Sequence, residues 1–211
     1  MGKGVFVSGI GTEIGKTIVS AILTRALQAD YWKPVQSGDL HASDSMKVQT
    51  LSQVPVEQFH PETYRLQTPA SPHHSAALED LTINLETFRL PSTDNFLIVE
   101  GAGGLMVPLN EQDTMLDLIE YLQLPVVLVS QHYLGSINHS LLSLQCLAER
   151  KIPLAGLIFN GPKTPSTSSI IEKMSGTEAL FHLPQLEVVD EKQVAYWAAT
   201  ISPILKKAWL T

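Results

Sequence analysis

Gly4-Val5-Phe6-Val7-Ser8-Gly9-Ile10-Gly11-Thr12-Glu13-Ile14-Gly15-Lys16-Thr17 passes from an apolar strand, through a glycine-punctuated turn, into the amphipathic pattern of Ile18 to Leu27. That order of strand, loop and helix is what a polyphosphate needs. The glycines let the backbone turn so that successive N–H groups face one anion, the helix N-terminus adds its positive end, and Lys16 supplies a mobile cation. Thr17 can then offer its hydroxyl to Mg²⁺. The loop is one residue longer than the standard pattern, with five residues between Gly9 and Gly15 and Ile10 in the added position. A chance Gly-Lys-Thr in a strand-to-helix turn is the plain alternative, and the patterning on both sides argues against it.

Working outward, short Val-, Ile- and Leu-rich runs recur between helical periodicities, as expected of parallel strands joined by crossover helices. Strands are expected over 4–9, 31–35, 96–100, 125–130 and 154–159, with a weaker sixth over 179–183. Helices are expected over 16–29, 44–53, 82–89, 114–122, 136–150, 166–175 and 190–209. The fold class that follows is α/β: a P-loop NTPase fold, one domain over residues 1–211, with a mostly parallel central sheet and helices on both faces. In the last helix Val194, Trp197, Ile201, Ile204, Leu205 and Ala208 recur at steps of three and four, which predicts a face packed on the sheet. Residues 54–79 contain Pro55, Pro61, Pro69 and Pro72 and read as an irregular segment flanking the active site.

Composition narrows the function classes. A net charge of −7 without a basic stripe argues against gripping nucleic acid or an anionic membrane by electrostatics. No apolar run has membrane-spanning length, residues 1–9 lack the pattern of a secretory signal, and Phe6 stands where myristoylation needs Ser or Thr. Cys146 is the only cysteine, which excludes an internal disulfide. These features together predict a cytoplasmic protein. His73 and His74 lack the spacing and neighbours of a zinc site, so no structural metal is expected; His73 is expected to order its loop.

Mg²⁺ on a nucleotide takes hard oxygen ligands, usually one or two carboxylates. Glu100 ends the run Phe96-Leu97-Ile98-Val99 and precedes Gly101-Ala102-Gly103-Gly104, which places it at a carboxyl strand end, where open α/β sheets bind ligands. A surface carboxylate before a glycine turn is its plainer role. Asp44 opens a helix and divides evenly between metal ligand and N-cap.

Read with Lys33-Pro34-Val35-Gln36-Ser37-Gly38, these residues resemble the dethiobiotin synthetase family. Ser71-Pro72-His73, Val107-Pro108-Leu109, Leu134-Gly135-Ser136-Ile137-Asn138-His139 and Asn160 extend the resemblance, which covers residues 4 to about 160 and fades beyond. It implies ATP- and Mg²⁺-dependent carboxylation and ring closure of 7,8-diaminononanoate with CO2, in biotin biosynthesis. It also implies Mg²⁺ at Thr17, Asp44 and Glu100, and catalysis and phosphate or substrate contact at Thr12, Lys16, Lys33 and Ser37. The nucleotide would lie along Gly11, Thr12, Glu13, Ile14, Gly15, Lys16 and Thr17, beside Glu100 and Gly103, with its adenine at Asn160. The substrate carboxylate would be held by Gly135, Ser136, Ile137 and Asn138 of a partner subunit, so a homodimer with the site at its interface is implied. His139 is expected to pack rather than to catalyse.

Two departures from the family pattern stand out. Gly11 replaces the family's Asp in Gly-Thr-Asp-Thr, and Tyr133 replaces a Lys near the substrate end. Around Leu183-Pro184-Gln185-Leu186-Glu187 only fragments of the adenine-side loop remain. Two other classes share the cradle. A partition or septum-positioning switch ATPase would carry its signature Lys in place of Gly11, and a cobyrinate-type amide synthetase would need an ammonia source that this chain does not supply.

Overall fold

A strand that is apolar on both sides must lie in the middle of a sheet, between neighbours and beneath helices. Val5, Phe6, Val7 and Ser8 are all buried, and the computed structural model, which describes residues 4–210, places them there. β1 (Gly4–Gly9) leads into α1 (Lys16–Leu27), β2 (Asp30–Trp32), β3 (Val35–Ser37) and α2 (Asp44–Ser52). β4 (Phe59–His60), β5 (Tyr64–Leu66) and α3 (Pro72–Ala77) come next, before β6 (Leu97–Gly104) and α4 (Met115–Leu122). The chain continues through β7 (Val126–Gln131), α5 (Ser136–Glu149), β8 (Leu154–Asn160), α6 (Pro165–Ser175), β9 (Ala179–Leu183) and α7 (Glu191–Trp209).

Seven strands form one parallel sheet in the order β4-β2-β6-β1-β7-β8-β9. The connection from β1 runs to one side and those from β6 onward to the other, so right-handed crossovers put helices on both faces. The direction reverses around β1, and the crevice at the carboxyl ends there is where such sheets take ligands. Gly9, Glu100, Gln131 and Asn160 all lie at or near that edge.

Several expectations need correction. The strand expected over 31–35 is two strands, because Pro34 cannot donate to a ladder and the chain leaves the main sheet at Lys33. β3 instead pairs with β5 in a second, two-stranded sheet. The segment 54–79 is less irregular than its prolines suggest: it contributes β4 at the sheet edge, β5 and α3. The helix expected over 82–89 is a single 3₁₀ turn over Leu85–Thr87. The strand expected to end at Glu100 runs on through the glycines to Gly104; a Cβ on Gly101 would lie 2.6 Å from the Phe6 ring, so only glycine lets β6 pass β1 there. The weak sixth strand exists, as β9.

α7 also differs from expectation. Val194, Ala198, Ile201, Leu205 and Trp209 form its buried face, while Ile204 is exposed, and that face lies chiefly along α1 rather than on the sheet. Ser202 Oγ donates to the Ala26 carbonyl at 3.0 Å, and Trp209 Nε1 donates to that of Ala155 at 3.0 Å. Trp209 also stacks on Phe96, 5.8 Å between ring centroids. Among the described residues no helix is long and apolar enough to cross a membrane.

Candidate active site

The loop after β1 wraps around its own lysine. Lys16 Nζ donates to the Gly11 carbonyl at 2.8 Å, and Ile14 folds back onto Gly9. Gly15 sits at φ 88, and a Cβ there would lie 2.1 Å from Asn160 Nδ2, so both its conformation and its neighbour demand glycine. Asn160 Nδ2 donates to the Ile14 carbonyl at 2.9 Å. The strand-end Asn is therefore a clamp on the loop. Burial lowers the Lys16 pKa to about 8, against the pull of Glu100 upward, and a bound polyphosphate would raise it again.

Beside the loop, β6 delivers Glu100 into the interior, where it is 1% exposed. A carboxylate so buried must be saturated with donors, and it is. Thr17 Oγ1 donates to Oε1 at 2.9 Å, Tyr31 Oη donates to Oε2 at 3.0 Å, and Lys33 Nζ lies 3.4 Å from Oε1. Lys33 also reaches Asp44 Oδ2 at 2.9 Å. Burial alone would lower the Lys33 pKa, but Glu100 and Asp44 together hold it above its usual range. Burial would raise the Asp44 pKa, but Lys33 and, to a smaller extent, Lys47 together hold it below the usual carboxylate range. Tyr31 is wholly buried beside Glu100, and both effects push its phenol far upward, so it remains a donor.

Of the two roles open to Asp44, the N-cap falls to its neighbour: Ser43 caps α2, accepting from the Met46 N–H at 3.3 Å. Asp44 is left free to face Lys33. Gln36 fixes the turn between them, donating to the Gly38 carbonyl at 2.9 Å and accepting from the Asp44 N–H at 3.2 Å. Ser37 Oγ is buried and makes no hydrogen bond.

Thr12, Glu13, Gly15, Lys16, Thr17, Lys33, Ser37, Asp44, Glu100 and Gly103 line one cleft of about 1170 Å³. Gly11, Ile14 and Asn160 do not line this cleft; Gly11 and Ile14 belong to the loop and accept through their carbonyls from Lys16 and Asn160. Gly135, Ser136, Ile137 and Asn138 do not line the cleft; they form the turn into α5, with Gly135 at φ 101 as its N-cap. His139, expected to pack, is exposed and its Nδ1 lies 2.7 Å from Tyr133 Oη. The order set by His73 is of the backbone, whose N–H donates to the Pro108 carbonyl at 3.3 Å.

The residues present fit Mg²⁺. Thr17 Oγ1, Glu100 and Asp44 are oxygen donors converging beside the phosphate loop, and two carboxylates with a hydroxyl is the donor set this ion takes alongside a nucleotide. Sequence reasoning missed Tyr31 and Gln36. Tyr31 lies in no phosphate or metal motif and acts across the fold; Gln36 lies within the Lys33 to Gly38 block, but between the residues that carry its chemistry, and its side chain acts across a turn.

The fold and this edge define a P-loop NTPase of the parallel-sheet class. A profile described as "AAA domain" matches residues 3–193. A ParA family ATPase from Chlorobium tepidum superposes with a TM-score of 0.57 at 16% identity, covering 93% of this chain and 98% of that one. The chain belongs to the ATP-dependent dethiobiotin synthetase family. It is 45% identical to the ATP-dependent dethiobiotin synthetase BioD of Christiangramia forsetii, over 94% of this chain and 95% of that protein. It is 47% identical to the BioD of Cytophaga hutchinsonii, over 92% and 95%. The biotin biosynthesis bifunctional protein BioCD of Bordetella avium is 47% identical over 93% of this chain, which spans 42% of that longer protein.

Proposed function

We propose that this chain is an ATP-dependent cyclo-ligase that converts 7,8-diaminononanoate, CO2 and ATP into dethiobiotin, ADP and phosphate, with Mg²⁺ as its metal. The observation that carries the reading is Lys33: a buried ammonium in contact with Asp44 and Glu100, beside a phosphate loop, in a cleft that also holds the unbonded hydroxyl of Ser37.

The chemistry needs no covalent enzyme intermediate. One amine of the substrate adds to CO2 and loses a proton, giving a carbamate. A carbamate oxygen then attacks the γ-phosphorus of ATP and ADP leaves, giving a carbamic–phosphoric anhydride. The second amine attacks the carbonyl carbon and expels phosphate, closing the cyclic urea. Lys33 and Ser37 would hold the carbamate, and Lys16 with the loop N–H groups, Thr12 among them, would hold the transferring phosphoryl group. Mg²⁺, held by Thr17, Asp44 and Glu100, would supply positive charge to the phosphate oxygens. Asn160 commits its amide nitrogen to Ile14, which leaves its oxygen for the exocyclic amine of adenine.

The same reading makes residues 1–211 one domain, places the enzyme in the cytoplasm and makes it a homodimer. It assigns no nucleic-acid or membrane partner. Support for the dimer comes from the turn into α5, where Tyr133, Leu134 and Ile137 are exposed side by side, Leu134 completely. The test is to incubate the protein with diaminononanoate, bicarbonate, Mg²⁺ and each nucleoside triphosphate and to detect the urea product by mass. Dethiobiotin formed with ATP is expected; its absence with every nucleotide overturns the reading.

A further inference from the structure

A buried carboxylate that serves a metal has two oxygens, and which one faces the ion depends on what holds the other. In this chain the two oxygens of Glu100 have different partners. Oε1 receives Thr17 Oγ1 and lies near Lys33, on the cleft side. Oε2 receives Tyr31 Oη, at 3.0 Å. Tyr31 comes from β2, adjacent to β6 in the sheet, and it is 0% exposed. Its ring is fixed in turn against Phe59 of β4, 5.6 Å between centroids. The phenol therefore reaches Glu100 from the neighbouring strand, and Tyr31 is not among the residues that line the cleft.

We propose that Tyr31 is a positioning residue for the metal site: its hydroxyl fixes Oε2 of Glu100, so that Oε1 is presented, together with Thr17, to Mg²⁺. The inference rests on the reading of Glu100 as a metal ligand. Partners that orient a ligand commonly change metal affinity by about 10–100-fold when removed. Tyr31→Phe deletes only the hydroxyl and keeps the ring that packs on Phe59.

The test is calorimetric titration of Mg²⁺ into protein saturated with a non-hydrolysable ATP analogue, for wild type, Tyr31→Phe, Glu100→Gln and the double variant. Tyr31→Phe is expected to raise the half-saturating Mg²⁺ concentration by about tenfold. It should also lower turnover at limiting Mg²⁺, with recovery at high Mg²⁺ and an unchanged KM for the diamine. In the Glu100→Gln background the same substitution should add nothing. Phe59→Leu, which loosens the ring but leaves the hydroxyl, should shift the Mg²⁺ requirement less than Tyr31→Phe does, and a shift equal to that of Tyr31→Phe would reduce Tyr31 to a packing residue. An unchanged Mg²⁺ affinity in Tyr31→Phe, with a weakened one in Glu100→Gln, overturns this inference alone. Unchanged affinity in both removes Glu100 from the metal site, and the inference goes with it.

Discussion

An ammonium ion taken out of water is stable only where carboxylates and hydrogen bonds replace its hydration, and removing one member of such a group typically costs about 3–5 kcal/mol. Lys33 is held in that way between Asp44 and Glu100. Lys33→Ala is thus expected to act twice. It should cut ring closure by at least about 10²-fold, as loss of an oxyanion donor does, while nucleotide binding by titration persists. It should also leave two carboxylates without their cation, so Mg²⁺ should raise the melting temperature of the variant more than that of wild type. Equal shifts would show that Lys33 and the metal do not share those carboxylates. At position 11 a Cβ would meet nothing within 4 Å, so Gly11→Asp is expected to leave stability within about 0.5 kcal/mol and to tighten Mg²⁺ binding, read by the same titration. Thr17, Lys16, Glu100 and Lys33 were legible because each belongs to a contiguous motif whose chemistry is local. Tyr31 reads only as an apolar strand residue, since the partner that defines it is 69 positions away.

Elements carry the site by their ends. α2 begins with Ser43 as its cap and Asp44 beside it, so Ser43→Ala should cost about 1 kcal/mol and should also displace Asp44, weakening Mg²⁺ binding beyond what the stability loss implies. At the opposite end of the sheet Asp30, opening β2, takes His60 Nε2 and Asn95 Nδ2 at 2.7 Å each. Burial alone would raise this carboxyl, but its hydrogen bonds, from Asn95, His60, Thr93 and Gln58, outweigh it and lower the pKa. With the folded value below the unfolded one, the contribution to stability is complete above the unfolded pKa of about 4. It is lost as pH falls through the lowered folded value. Asp30→Asn should flatten the acid limb of a urea-denaturation series, and an unchanged limb would remove Asp30 from that role. Long elements with clear periodicity, such as α1, α5 and β1, were legible from sequence. Two-residue β4 and the split at Pro34 were not, because an edge strand is defined by its neighbour. The face of α7 was misassigned because periodicity gives a buried stripe without saying whether α1 or the sheet covers it.

At the scale of the whole molecule the cleft in one chain is short of a contact. Its lysines are Lys16, Lys33 and Lys47; the proposed reaction commits the first two to phosphate and carbamate, and Lys47 pairs with Asp44 at 3.5 Å, which leaves the carboxylate of the nine-carbon substrate without a cation of its own. The free N–H groups and positive end of α5 suit a carboxylate, yet Gly135 to Asn138 lie outside their own chain's cleft. In a two-fold dimer the same turn on each subunit can serve the other's cleft, and exposed Leu134 beside it supplies apolar surface for the contact. Asn138→Asp should repel the substrate carboxylate while preserving the helix, since an acid in the first turn is favourable there. Alone it should abolish ring closure, as should Lys33→Ala. Denatured together in equal amounts and refolded, the two variants should give half heterodimers, each with one site that has both an intact lysine and an intact helix turn. The mixture should therefore recover about one quarter of wild-type activity. A mixture as inactive as its components would mean that the lysine and the helix turn act within one chain, and the shared site would be wrong.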